Sequence, residues 1–418
     1  MCDPQPPKRM PRLVATTPAA GRKISVSSRR HVLEIGMPSL IANVQLVTPD
    51  ESIRPVSIEA GDDGLISAIH EAGEYPDGVE IAFDADGELF AFAGFIDIHT
   101  HGANGVDLFQ ATPEAVHAFA EAKLKEGVTT FLPTTWTESN AGLQAMARAT
   151  TAYRNAGEPF ARTPFLHVEG PYLNPKQAGA QNPDEMRAPD VDEIRELARI
   201  CPVGLISLAV ELDGALDFIR AMRAMGIQCS AAHSAATYGE FRAAREAGLG
   251  HLTHYCNQMS PLHHRSVGLV GAGLLDDEVL IEVITDTIHL CPDMIELVFK
   301  HRSCDQLMII TDSIAASHLG DGTYPLGDTT ITVKDGAARI PAGNLAGSIL
   351  QYHHGLKNVA DLTGLPLNQL AKTTAANQAR SLGLHDRGAI RQGLLADLTL
   401  LDRDFAVQAV FVGGERRV

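Results

Sequence analysis

The chain has 418 residues, 45% of them hydrophobic, which is enough for a sizeable core and excludes global disorder. Lys plus Arg number 34 against 51 Asp plus Glu, a net charge of −17, which argues against nucleic acid or an anionic membrane as a partner. The six cysteines (Cys2, Cys201, Cys229, Cys256, Cys291, Cys304) form no CxxC pair, and no apolar run approaches the ~18 residues of a membrane span, so neither a disulfide framework, a cysteine zinc site nor a membrane protein is expected.

In chain order, residues 1–30 come first. They hold seven basic residues against one acid, together with five prolines, and read as a disordered basic tail. Ser28-Arg29-Arg30 is twin-arginine-like, but Glu34, Pro38, Asn43 and Gln45 interrupt the apolar stretch beyond it and no clear A-x-A site appears. Export is therefore not expected, and a cytoplasmic location is. Ser39 to Val47 reads as a first strand.

Residues 31–92 contain short strand-like runs separated by Asp62-Asp63-Gly64 and Asp86-Gly87, which supply hairpin turn chemistry. Similar runs return only in residues 385–418, as ADLTLLD and VQAVFVGGERRV. The simplest account is one small β-sandwich built from both terminal segments.

Between them, over residues 93–384, strand and helix signals alternate, which predicts parallel βα units. Eight strand candidates occur: FAGFIDIHT, VTTFLPT, PFLHVEG, GLISLAVEL, IQCSAAHS, HLTHYCN, LIEVITDTIH and QLMIITDS. Helical patterns cover Pro113–Glu126, Leu143–Ala156, Val191–Ile200, Ala215–Met225, Tyr238–Ala247 and Pro292–His301, with a last one near Leu370–Leu382. Thr112-Pro113 is a cap followed by proline at the first helical position. The Met222/Met225 pair is core packing at helical spacing. Eight such units predict a TIM-type (β/α)8 barrel. Residues 313–350 are turn-rich and read as a long loop or lid.

Buried strands should be apolar inside, and the polar exceptions stand at their carboxyl ends: His99-Thr100-His101, Glu169, Glu211, His233, His254, His289 and Asp312. That is the face on which barrel enzymes build active sites. Residues two apart in a strand share a side, so His99 and His101 can reach one metal, and imidazoles with carboxylates suit zinc, iron or manganese. Glu211 reads as a solvated or salt-bridged carboxylate.

GFIDIHTHG opening the barrel resembles the amidohydrolase superfamily. HVEGPYLNPKQAGA, AAHS, HLTHYCNQMSPLHHR, ITDTIH, ITDS and LAGS, with GAIRQGLLADLTLLD near the end, resemble the N-acetylglucosamine-6-phosphate deacetylase family in order and spacing from about residue 40 onward. The resemblance implies a hydrolase that releases acetate from an acetylamino sugar phosphate. It implies metal ligands at Glu169, His233 and His254, a second metal position at His99 and His101, and Asp312 as general acid/base. It implies a substrate pocket lined by Ala180, Gln181, Asn257, Gln258, Arg265, His289, Leu345, Ala346 and Gly347. One or two divalent cations per subunit, Zn2+ or Fe2+, and a homodimer are implied too.

Three residues depart from that pattern: Gln181 stands where many relatives have histidine, Gln258 replaces a small residue and Thr287 a glycine. These put the exact sugar in question. N-acetylgalactosamine 6-phosphate, an unphosphorylated acetylamino sugar or an N-acyl amino acid are the alternatives. A non-catalytic scaffold should have lost ligands or the strand-eight acid, and this chain retains them. Arg265, preceded by His263 and His264, is the densest cationic spot near a strand end, and its fork of N–H groups suits a phosphate.

Overall fold

The computed structural model describes residues 38–327 and 329–418. The basic tail and the twin-arginine-like segment lie outside the described residues. Five strands come first: β1 (Ser39–Leu46), β2 (Arg54–Ala60), β3 (Ile66–Glu71), β4 (Glu80–Asp84) and β5 (Phe90–Ala93). The barrel strand β6 (Phe95–Thr100) follows, then a short hairpin of β7 (Gly102–Ala103) and β8 (Val106–Asp107). The next seven barrel strands are β9 (Val128–Pro133), β10 (Leu166–Glu169), β11 (Val203–Leu208), β12 (Gln228–Ala231), β13 (His251–Leu252), β14 (Leu280–Ile284) and β15 (Leu307–Ile310). An antiparallel insert of β16 (Gly322–Leu326), β17 (Thr329–Lys334) and β18 (Ala337–Arg339) precedes the returning β19 (Leu398–Leu401), β20 (Val407–Val412) and β21 (Glu415–Arg416).

Strands β10 to β15 pair in sequence order and in parallel, and β6 pairs with β9 in parallel. A parallel bridge from Thr134 to His167 joins β9 to β10. At the other seam Asp312 N–H donates to His99 O at 2.9 Å and His101 N–H to Ser313 O at 2.8 Å, so the eight strands close. The helices α1 (Pro113–Leu124), α2 (Asn140–Asn155), α3 (Val191–Ile200), α4 (Ala215–Ala224), α5 (Tyr238–Ala247), α6 (Gly268–Leu275), α7 (Pro292–His301) and α8 (Tyr352–Thr363) separate or follow these strands. The chain then runs through α9 (Leu367–Ala371), one π-helical stretch and α10 (Asn377–Leu382). Caps explain the sharp starts: Thr112 Oγ1 accepts from Ala115 N, and Thr237 with Glu240 forms a reciprocal capping box at α5.

The FAGFIDIHT run is divided between two sheets. Phe90–Ala93 pairs antiparallel with β19, and only from Phe95 onward does the chain enter the barrel. The small domain is one hydrogen-bonded sheet of eight strands, in which β19, β20 and β21 join β1 to β5. It has its own apolar core, with Ile41, Val44, Ile58, Leu398 and Phe411.

Residues 313–350 are not a bare loop. The β16–β18 insert packs Leu326, Ile331, Val333 and Ala338 against Trp136, Ile314 and Ala346. Helices α6 and α8 are additions to the expected set. The sequence of α6, GLVGAGLL, is apolar on every side and so shows no helical period, and α8 begins without a capping side chain.

Barrel strands carry more polar side chains than their ends alone. His167 on β10, Ser207 on β11, Ser230 on β12, His251 on β13 and Glu282 on β14 are all fully buried. They bond to one another or to neighbouring polar groups: His167 Nε2 to Ser207 Oγ at 2.7 Å, and His251 Nδ1 to Glu282 Oε1 at 3.2 Å. The seam between β6 and β15 holds a second buried polar group. Lys123 Nζ of α1, fully buried, lies 3.0 Å from Asp97 Oδ2 and 2.6 Å from Glu126 Oε2, while Thr311 Oγ1 donates to Asp97 Oδ2 at 2.6 Å.

Candidate metal centre and active site

The strand-end residues converge on the Glu169 carboxylate. Its Oε1 lies 3.0 Å from His254 Nε2, 3.4 Å from His233 Nε2 and 3.5 Å from His99 Nε2; its Oε2 lies 3.3 Å from His101 Nε2. Asp312 Oδ1 closes the group at 3.2 Å from His101 Nε2 and 3.5 Å from His99 Nε2. All six side chains are buried. Two triads with metal-ligand spacing result, His99–His101–Glu169 and Glu169–His233–His254, with Glu169 common to both.

Their chemistry fits divalent cations. His101 Nδ1 faces Thr134 O at 3.2 Å and His233 Nδ1 faces Gln177 O at 2.7 Å. A carbonyl accepts only, so both imidazoles carry a proton on Nδ1, which leaves Nε2, the atom turned toward Glu169, as the one that can ligate a cation. His99 Nε2 lies 3.2 Å from His101 Nε2, and His254 Nε2 the same distance from His233 Nε2. Nitrogen pairs that close, around one carboxylate, suit ligation rather than hydrogen bonding among themselves. Burial alone would push the Glu169 carboxyl upward, but His99 and its other imidazole neighbours hold it well below the usual carboxylate range.

The backbone is strained where these ligands sit. His233, His254 and Asp312 have φ of 44°, 31° and 49°, a region costly for non-glycine residues and typical of functional turns. Glu211 holds one of these turns. Its carboxylate accepts from Ala235 N at 2.6 Å, Asn174 Nδ2 at 2.8 Å and Ser234 Oγ, while Asn174 N–H donates to His233 O at 3.1 Å. The solvated or salt-bridged reading of Glu211 is thus corrected: it fastens the loops after β10 and β12.

A cavity of about 160 Å³ opens above the centre, with His101, Glu169, His233, His254 and Asp312 in its wall. Ala180, Gln181, Asn257, Gln258, His289, Leu345 and Gly347 line it. Gly347 has φ +56°, and a Cβ there would come within 2.8 Å of Asp312 O, so only glycine fits beside the acid.

Three expectations change. Ala346 does not line the cavity: its N–H bonds Ala338 O and its methyl is buried in the apolar core of the β16–β18 insert. Arg265 does not line it either, lying on an exposed stretch with Nη1 against His264 Nε2. Among the described residues, no Lys or Arg lines the cavity. Gln181 has both ends of its amide engaged, Nε2 donating to Glu169 Oε2 at 2.6 Å and Oε1 accepting from Thr137 N at 2.8 Å. It braces the central carboxylate.

Sequence reasoning missed Trp136, Gly179, Asn344 and Asp286. Trp136 stacks on His101 with ring centroids 4.2 Å apart; the one tryptophan of the chain, just past a strand end, was the signal. Asp286 accepts from Ile288 N, His289 N and His289 Nδ1, the last at 2.7 Å. Burial would lower the His289 pKa, but Asp286 outweighs it and raises it above the ordinary value.

The chain is similar to known proteins over most of its length. The amidohydrolase family profile matches residues 90–417. The chain is 33% identical to the N-acetylglucosamine-6-phosphate deacetylase of Bacillus subtilis over 374 residues, 88% of this chain and 94% of that protein. It is likewise 33% identical to the N-acetylgalactosamine-6-phosphate deacetylase of Escherichia coli O157:H7 over 84% of this chain and 92% of that one. Among solved structures, it is similar to a mutant N-acetyl-D-glucosamine-6-phosphate deacetylase of Mycobacterium smegmatis in complex with N-acetyl-D-glucosamine-6-phosphate. The TM-score is 0.84 and the identity 29%, over 92% of this chain and all of that one.

Proposed function

The chain belongs to the amidohydrolase family, and from that premise we propose that it removes the acetyl group of N-acetyl-D-glucosamine 6-phosphate, giving D-glucosamine 6-phosphate and acetate in amino-sugar catabolism. The observation that carries the reading is the convergence of four imidazoles and Asp312 around Glu169, with all of these but the fully buried His99 in the wall of one cavity.

Glu169, His233 and His254 would hold one divalent cation, and His99, His101 and Glu169 a second. A bound divalent cation supplies Lewis acidity, polarising the amide carbonyl and lowering the pKa of water toward about 7. Asp312 takes a proton from the attacking water and returns it to the departing nitrogen. His289, its Nδ1 engaged by Asp286, has Nε2 left to donate to the oxyanion that develops on the carbonyl. Asn257, Gln258 and Leu345 contact the sugar, and Trp136 walls off water beside His101.

Zinc or ferrous iron as the cation, a homodimer and a cytoplasmic location complete the proposal. No helix among the described residues is long and apolar enough to cross a membrane. Phosphate selectivity is proposed for Arg265 on the strength of its guanidinium fork and its place on the connection that also carries Asn257 and Gln258, although it stands outside the cavity lining. Arg265→Ala should raise KM for the 6-phosphate much more than for the unphosphorylated sugar; equal changes would remove it from phosphate recognition.

The second reading is the galacto epimer, favoured by the equal identity to the Escherichia coli enzyme. Acetate release from both 6-phosphates by the metal-replete protein decides. The proposal expects the higher kcat/KM for the gluco compound, the reverse order gives the second reading, and no release from either rejects both.

A further inference from the structure

His99 turns Nε2 toward Glu169, Asp312 and His101, so its other ring nitrogen, Nδ1, must carry the proton when Nε2 offers a lone pair. That Nδ1 is buried and has no hydrogen-bond partner. Glu282 Oε2 is likewise buried without one. The two atoms face each other at 3.6 Å. Glu282 is fully buried in β14, and its Oε1 is already occupied by His251 Nδ1 at 3.2 Å, with His251 Nε2 anchored on Ser381 Oγ.

The other two partnered ligand imidazoles give Nδ1 to backbone carbonyls, those of Thr134 and Gln177. At His99 the only carboxylate that reaches Nδ1, among the described residues, is that of Glu282. A shift of about half an ångström brings the pair into hydrogen-bond range. A lone buried carboxylate oxygen is costly, and so is a lone buried N–H, and one contact removes both penalties.

We infer that Glu282 is a positioning residue for His99: it accepts the Nδ1 proton, fixes the tautomer and holds Nε2 toward Glu169. It acts from the layer beneath the cavity, on a strand that otherwise gives the centre no ligand. A carboxylate behind a ligand histidine makes it a stronger donor, and losing such a partner weakens cation binding by about 10–100-fold. The inference rests on the reading that the His99–His101–Glu169 triad holds a cation.

The test is titration of chelator-stripped protein with Zn2+ by calorimetry, with thermal melts of the stripped proteins alongside. Wild type, His99→Asn, Glu282→Gln and the double variant are compared. Wild type should show two sites and His99→Asn one. Glu282→Gln should weaken one site about 10–100-fold, leave the other within twofold, and add nothing in the His99→Asn background. If His99→Asn binds as wild type does, the reading of that triad has failed and the inference with it. If His99→Asn loses a site while Glu282→Gln binds like wild type, the positioning role alone is overturned. Equal weakening of both sites with a lowered melt also overturns it, as a merely structural carboxylate. If Glu282→Gln does not fold, Glu282→Asp, which keeps the charge one methylene short, is read by the same criteria.

Discussion

The two histidine pairs that meet on Glu169 are built differently. His99 lies within β6 and His101 directly after it, and both inherit their positions from the barrel seam, where Lys123, Asp97 and Thr311 tie β6 to β15. His233 and His254 stand two residues past the ends of β12 and β13, on left-handed turns, and their geometry depends on contacts between loops. Glu211 and Asn174 fasten the first of those turns. A single centre thus draws one half of its precision from the fold's global stability and the other from a few local straps.

The largest effect should come from the turn-built half. His254→Ala removes an Nε2 only 3.0 Å from Glu169. Acetate release should fall by more than the 10–100-fold that loss of a mere supporting contact costs, with metal content lowered by one equivalent. Undiminished metal content would break the assignment. A His99→Asn/His101→Asn double variant should also lose one equivalent, but from the other half.

Next in size is Lys123→Met. Removing one partner of a buried ion pair costs about 3–5 kcal/mol, and here it leaves Asp97 without its cation and Glu126 with His318 alone. The melt should drop accordingly, while the folded fraction keeps its His233–His254 site. A normal melt would deny the seam its part in holding the strand-built half.

The smallest effect is expected for Glu211→Gln. It weakens bonds to Ser234, Ala235 and Asn174, a loss of about 1–2 kcal/mol. Metal affinity should fall at the His233–His254 site and stay unchanged at the other. Equal change at both would show that the two halves are not separately supported.

The contrast also marks how far the sequence could be read. His99-x-His101 is a local pattern, and strand periodicity alone brings the two imidazoles to one side. Helices α3, α5 and α7 have the expected bounds because start signals (capping side chains at α3 and α5, a proline at the start of α7) and 3.6-residue periodicity are local as well. The polar layer below the rim was not legible: His167 and Glu282 sit inside otherwise apolar runs, and only the closed barrel brings Glu282 to His99. The position of Arg265 outside the cavity lining was not legible for a related reason. Its place depends on where a ten-residue stretch after His254 travels, which charge and spacing do not determine. Gln181 enters the expected pocket through the family resemblance alone, and the bonds that engage both ends of its amide, to Glu169 and Thr137, join residues far apart in sequence that no local pattern connects.

The central claim is amide hydrolysis at the Glu169 centre with Asp312 moving the proton. Its most direct test is kcat for acetate release from N-acetyl-D-glucosamine 6-phosphate by metal-replete Asp312→Asn, with metal content and a thermal melt measured on the same sample. Asparagine keeps the size of the side chain but cannot accept and return a proton, and general acid–base assistance is typically worth about 10²–10⁴-fold. The expected result is a folded, metal-loaded protein whose kcat has fallen at least about 100-fold. A folded, metal-loaded variant that keeps more than about a tenth of wild-type kcat, well outside that range, would contradict it.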